Sequence, residues 1–276
     1  MSRIHQSAIV HEGVKLGENV TVEAYAVINS PNVILGDNVT IKSHVVIEGD
    51  VTIGDGTTVW PFACIGTEPQ HLIDQGDDTS IEIGKNCRIR EYVTINLSIG
   101  KGSKVIVGDD CVLMAYSHVA HNCTLGKGVI MTNGSTIAGH VEIGNYAILG
   151  GLCAIHQYNR IGDYAMVGGG SMVGHDLPPF CLGIGYPLKV SGLNMVGLKR
   201  RKFTFEQRRQ IIKAYRITFN ENLAWTEAKK KIEQEIEMTD DIKKWIDFCD
   251  HSKRGLVTAR QKTAKGKKEI AQYAEG

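Results

Sequence analysis

Four histidines, His118, His121, His140 and His156, crowd the middle of the chain, with Gln157 beside the last. An imidazole titrates near neutral pH and suits general-base work, removing a proton from an acceptor hydroxyl as it attacks an acyl carbonyl. The oxyanion that then forms needs a preorganised donor, often the backbone N–H of a glycine. Gly139 is the candidate for that donor. Whether these groups meet depends on register. Val119, Ile137 and Ile155 recur at intervals of eighteen. His118 lies one before Val119 and His121 two after it. His140 lies three after Ile137, and His156 and Gln157 one and two after Ile155. If eighteen residues make one turn of a coil, all sit around one corner on turns about 4.8 Å apart. The cluster then spans roughly 10 Å, about the reach of a sugar and its reactive hydroxyl. A single histidine at a corner is an ordinary solvated residue; four at one corner point to catalysis. Zinc also takes histidine ligands, but no aspartate or cysteine accompanies these, so neither a metal nor a cofactor is expected.

The element that positions them is a repeat. An aliphatic residue returns every six positions: Val10, Leu16, Val22 and Ile28, then, after a slip of one, Leu35, Ile41, Ile47, Ile53, Val59 and Ile65. Ile83, Ile89 and Ile95 follow an interruption, and an unbroken series runs from Val107 to Val173 after a second. Neither an amphipathic helix nor a two-residue strand alternation gives this period. A left-handed parallel β-helix of hexapeptide repeats does, with one hexad per side of a three-sided prism. Two residues before each aliphatic comes a second inward position, filled by Val14, Ala26, Val39, Thr57, Ser135, Ala147 and Ala165. Cys87, Cys111, Cys123 and Cys153 share that column and read as buried filler.

A solenoid carries insertions only outward, so 66–80 and 96–104 are expected as projecting loops, where specificity usually lives. The prism is expected over 1–190, with a C-terminal α-helical domain over 191–257 capping its open end. Thr204 and Gln207 form a capping box before the stripe Ile211, Ile212, Tyr215, Phe219 and Leu223. A second helix begins near Thr226, and a third carries Ile242, Trp245, Ile246 and Cys249. Residues 258–276 form a polar, lysine-rich tail.

A formal net charge of +1 argues against nucleic acid as a partner. No apolar run is long enough to span a bilayer, so stable membrane insertion is not expected. Seven cysteines without a C-x-x-C pair, and no signal-like start, fit a cytoplasmic protein.

The residues also carry a family likeness. Ala120-His121-Asn122-Cys123, Ile137-Ala138-Gly139-His140-Val141, Ile155-His156-Gln157-Tyr158 and Met166-Val167-Gly168-Gly169-Gly170-Ser171 resemble the acyl-[acyl-carrier-protein]–UDP-N-acetylglucosamine O-acyltransferases, which open lipid A biosynthesis. Asp176-Leu177-Pro178-Pro179, Asn194 to Arg201 and Ser252-Lys253-Arg254-Gly255-Leu256 extend the resemblance over residues 4 to about 257. It implies a homotrimer with sites between neighbouring prisms, an acyl carrier protein as donor and a UDP-amino sugar as acceptor. By the same resemblance His121 is the general base and Gly139 the oxyanion donor. Gln70, His71, His118, Asn122, His140, His156 and Gln157 contact substrate, as do Asn194, Arg200 and Arg201, while Gly169 sets acyl-chain length. The chain departs from the family at Gln70-His71-Leu72-Ile73, where Gln-Asp-Leu-Lys is usual. It departs again at Val196, often glutamate, and at Asn122, often aspartate. An asparagine can still orient an imidazole but stabilises its charged form less well. The departures leave open a UDP-3-amino sugar as acceptor. An acetyl-CoA-dependent sugar acetyltransferase and a non-catalytic or metal-binding hexapeptide protein are the other readings.

Overall fold

A computed structural model describes residues 2–72, 76 and 78–259. Each hexad folds as a two-residue strand followed by a tight corner, and strands eighteen residues apart pair in parallel: Val119 with Ile137, and Ile137 with Ile155. Three parallel sheets result, the faces of a left-handed prism. The first face runs from Arg3–Ile4 up to Met166–Val167 and onward, the second from Ile9–Val10 to Met172–Val173, and the third from Lys15–Leu16 to Arg160–Ile161. The chain visits them in that order. Val119, Ile137 and Ile155 are buried inside the prism, and Ala26, Thr57, Ser135 and Ala165 fill the small-residue column beside them. Val14, at the open N-terminal end, is only half-buried. The cysteines of that column are indeed buried, and burial pushes the Cys123 and Cys153 thiols up to about 12, so they stay protonated.

The corners turn through left-handed residues, where Asn, Asp and His are over-represented among non-glycines. Asn122 and His140 both take φ of +59°. This places two polar side chains one above the other, at the corner between the second and third faces. Both insertions leave from this same corner. The strands Cys64–Thr67 and Ser80–Ile83, and Thr94–Asn96 and Lys104–Val107, reach into the expected loop ranges, which therefore shrink to 68–79 and 97–103. Ile73 lies outside the described residues.

The prism ends in a strand and a hairpin. Cys181–Ile184 continues the first face, and Lys189–Leu193 returns antiparallel to it as a hairpin. Helix α1 (Met195–Arg200), absent from the sequence reading, then precedes α2 (Phe205–Asn220), α3 (Trp225–Glu235) and α4 (Asp240–Asp250). The Thr204–Gln207 capping box is formed, and Trp245 is fully buried between α4 and α2, its indole N–H donating to Thr218. Helix α4 packs on the prism's end, with the Arg160 guanidinium 4.6 Å from the Phe248 ring centroid and Lys244 3.1 Å from Asp163. Among the described residues no helix is long and apolar enough to cross a membrane. Val190 N–H bonds the Thr258 carbonyl at 3.0 Å, so the first residues assigned to the tail are tied to the hairpin; residues 260–276 lie outside the described residues.

Candidate active site

Position 121 is the first residue of its corner, and the same position one turn on is Gly139. A Cβ built on Gly139 would lie 2.4 Å from His121 Nε2 and 2.2 Å from Cε1. The absent side chain is therefore the space the imidazole occupies, and the His121 ring leans against bare backbone. The Gly139 N–H has no hydrogen-bond partner among the described residues. At the corner between the third and first faces, by contrast, the equivalent N–H groups of Lys85, Lys127 and Asn145 are taken by Asp or Asn side chains of the next turn. A free N–H beside a base is the geometry an oxyanion needs.

His121 is buried to 7% exposure, and its Nδ1 lies 2.9 Å from Asn122 Oδ1. Two further imidazoles meet it edge-on, His140 and His71 of the first loop, each with ring centroids 5.2 Å away. His140 in turn stacks on Tyr158 at 4.6 Å. His118 sits on the second face rather than on the corner itself, and its Nδ1 is 2.7 Å from Thr94 Oγ1. His156 and Gln157 are exposed farther along the corner, where Arg254 of the C-terminal segment comes within 3.4 Å of His156 Nδ1. Gln70 is exposed on the first loop beside His71.

Burial, and next the charge His121 would carry, hold His118 below the usual histidine range. Burial first, then His121 and His71, do the same for His140. Both stay neutral at neutral pH. The linkage follows. Each binds a proton more weakly folded than unfolded, so the stability it contributes is complete above about pH 6.5. That stability is lost as pH falls through the lowered folded values. The thermal midpoint should therefore fall on acidification below that pH, and less steeply in His118→Gln, as read by calorimetry.

Four of the residues named with the histidines lie at other corners of the single chain. Asn194, Arg200 and Arg201 lie at the corner between the third and first faces, across the prism from His121. Asn194 is buried as the N-cap of α1, its Oδ1 accepting from Gly197 N–H and its Nδ2 donating to the Tyr164 carbonyl. Arg201 stacks 4.1 Å over the Tyr146 ring, and Arg200 is exposed. Gly169 is on the remaining corner, between the first and second faces, 3.2 Å by its would-be Cβ from the Gly151 carbonyl. The sequence also gave no sign of Thr94, Ser98, Ile99 or Arg254 as neighbours of the histidines. Thr94 and His118 are partners twenty-four residues apart, because the second loop lengthens that turn.

At the histidine corner of the single chain His121 is buried while His71, His156 and Gln157 are exposed. A groove of about 490 Å³ lies elsewhere, between the third face and α4, lined by Glu142, Arg160, Asp163, Lys244 and Phe248. Its charges are largely paired with one another, as in Arg160–Glu142 at 3.0 Å and Lys244–Asp163 at 3.1 Å.

Comparisons with known proteins agree with this architecture. A family model described as UDP N-acetylglucosamine O-acyltransferase, domain 2, matches residues 176–257. The bacterial transferase hexapeptide model matches 32–67 and 104–139. An acyl-[acyl-carrier-protein]–UDP-N-acetylglucosamine O-acyltransferase of Campylobacter concisus is 39% identical over 94% of this chain and 99% of its own length. The protein of that name from Chlamydia caviae is 43% identical over 96% of this chain and 95% of its own. The crystal structure of a UDP-N-acetylglucosamine acyltransferase from Bacteroides fragilis superposes with a TM-score of 0.88 at 36% identity, covering 92% of this chain and 99% of that one. With a matching prism, a matching helical domain and relatives of this identity along nearly its whole length, the chain belongs to the UDP-N-acetylglucosamine O-acyltransferase family.

Proposed function

We propose that this enzyme moves a 3-hydroxyacyl chain from acyl carrier protein to the 3-hydroxyl of UDP-N-acetylglucosamine, the opening step of lipid A synthesis, with His121 as general base. The observation that carries the reading is the His121 ring set between Asn122 Oδ1 and the open backbone of Gly139. Nε2 takes the hydroxyl proton as the oxygen attacks the thioester carbonyl, and the Gly139 N–H receives the developing negative charge. Collapse of the tetrahedral centre breaks the carbon–sulfur bond, and the imidazolium returns its proton to the leaving thiolate. No cofactor enters this balance. His71 stands where a carboxylate is usual, so the acceptor is the least constrained element. A mass-spectrometric assay offering a ladder of 3-hydroxyacyl carrier proteins to UDP-N-acetylglucosamine and to its 3-amino analogue tests it. Product from the hydroxyl sugar supports the reading; product from the amine alone reassigns the acceptor; none from either overturns it.

The active assembly is a homotrimer in this reading. The outward column of the first face is apolar over its later turns (Val112, Ile130, Ile148, Met166) after Arg3, Thr21, Thr40, Thr58 and Arg88, and that of the second is apolar at Ile9, Val27, Val46, Ala154 and Met172 but not at Thr94, His118 and Thr136; the third carries the charges of Lys15, Glu82, Glu142 and Arg160. Tyr25, His44, Phe62, Tyr92 and Tyr116 stack along the corner shared by the first and second faces at spacings of 4.9–5.2 Å. Apolar surface of that extent on a soluble protein marks an interface. Placing that corner at a threefold axis sets the first face of one chain against the second face of the next. The Arg201 corner of one chain then opposes the His121 corner of its neighbour, and Gly169 lies at the inner end of the cleft, where an acyl tail would stop. Each site would thus join a base from one chain to guanidinium groups from another. Co-assembling His121→Ala chains with Arg201→Ala chains should restore roughly a quarter of wild-type transfer, since each mixed trimer holds one intact site. No recovery in the mixture would place both groups in one chain's site.

A further inference from the structure

Asn122 does not choose its own side-chain orientation. Its Oδ1 accepts the Ile99 N–H at 3.2 Å, and its Nδ2 donates to the Ile99 carbonyl at 3.0 Å. Its backbone N–H donates to Ser98 Oγ at 3.0 Å. Turning the amide end for end would set donor against donor and acceptor against acceptor, losing both bonds to Ile99 at once. The second loop thereby fixes which amide atom faces the base, and that atom is Oδ1, an acceptor only. His121 Nδ1, 2.9 Å away, must then carry the ring proton. Nε2, the nitrogen against Gly139, is left with its lone pair. The root of this loop is tied to the first. Asn96 Nδ2 donates to Thr67 Oγ1 at 3.0 Å and to the Glu68 carbonyl at 2.6 Å, just ahead of Gln70 and His71.

We propose that the Ile99 peptide, acting through Asn122, selects the His121 tautomer with a free Nε2, making Asn122 and the second loop positioning elements of the reaction. This rests on the reading of His121 as the base and adds what prepares it. The amide is neutral, so it sets the tautomer without adding charge. The titratable groups facing His121 among the described residues are the imidazoles of His71, His118 and His140. A carboxylate at 122 would keep an acceptor at Nδ1 and for Ile99 N–H, give up the bond to the Ile99 carbonyl, and favour the imidazolium.

The test is nitrogen-15 NMR of histidine-labelled full-length enzyme above the range where imidazoles are protonated, with His121 assigned by His121→Gln. The expected spectrum has His121 protonated at Nδ1 in the wild type and redistributed toward Nε2–H in Asn122→Ala. The same variant should lose kcat, by up to about 10,000-fold if the base is held wholly in the wrong tautomer. Asn122→Asp should keep the Nδ1–H signature while the acidic limb of kcat/KM moves up by about one pH unit. A merely structural role would move neither tautomer nor limb. His121 found as Nε2–H in the wild type overturns the inference, as does Asn122→Ala with an unchanged tautomer. The predicted tautomer in an enzyme that transfers no acyl group supports the positioning and sinks the proposed function instead.

Discussion

Replacing His121 with glutamine should lower kcat for acyl transfer by about 100- to 10,000-fold, the span general-base catalysis supplies. The KM for the nucleotide sugar should change little. Glutamine occupies similar space and can still hydrogen-bond, but it takes no proton from a hydroxyl at neutral pH. The loss should appear equally in kcat and kcat/KM, because the missing interaction is made only as the proton moves. His118→Gln should not reproduce it: that imidazole is engaged by Thr94 Oγ1 at 2.7 Å and sits on the second face. Parallel steady-state kinetics on the two variants checks the contrast, and equal losses would assign the base wrongly.

Gly139→Ala should be nearly as damaging, about 100- to 1,000-fold in kcat, for a reason that one added carbon makes plain. The new methyl would lie 2.4 Å from Nε2, closer than atoms tolerate, and it meets the ring itself rather than the loose end of a flexible chain. The imidazole must swing aside, and doing so it leaves both the Asn122 amide and the Gly139 N–H. The prism should be unharmed, since the corner faces outward and the aliphatic column beneath it, Val119, Ile137 and Ile155, is untouched. Thermal unfolding within a few degrees of wild type, together with the kinetic loss, is the expected pair of results. A large fall in thermal midpoint would instead make Gly139 a folding residue.

The prism and the histidine corner were legible because both follow from one period. Once Val119, Ile137 and Ile155 are known to stack, the places of His121, Gly139 and His140 are arithmetic. What lay outside the period was not legible. Ile99 reaches Asn122 through main-chain atoms of a loop, which no side-chain pattern records. Arg201 follows the prism closely in sequence, but the Cys181–Leu193 hairpin and α1 carry it to a different corner. The family resemblance groups Asn194, Arg200 and Arg201 with the histidines, and the single chain separates them. In the proposed trimer the Arg201 corner of a neighbouring chain faces the His121 corner. Asn194 shows a further limit: its type suits a ligand contact, yet its buried amide is spent on capping α1 and holding the Tyr164 carbonyl.

The most direct test is a single-turnover experiment with enzyme in excess over 3-hydroxyacyl carrier protein and UDP-N-acetylglucosamine. It is quenched at intervals and read by mass spectrometry of both the nucleotide sugar and the protein. The account predicts that the acyl group passes straight to the sugar in the wild type, with no mass added to the enzyme at any time, and fails to pass in His121→Ala. Transfer at wild-type rate by His121→Ala, or an acyl adduct that forms and decays on the enzyme, would contradict it.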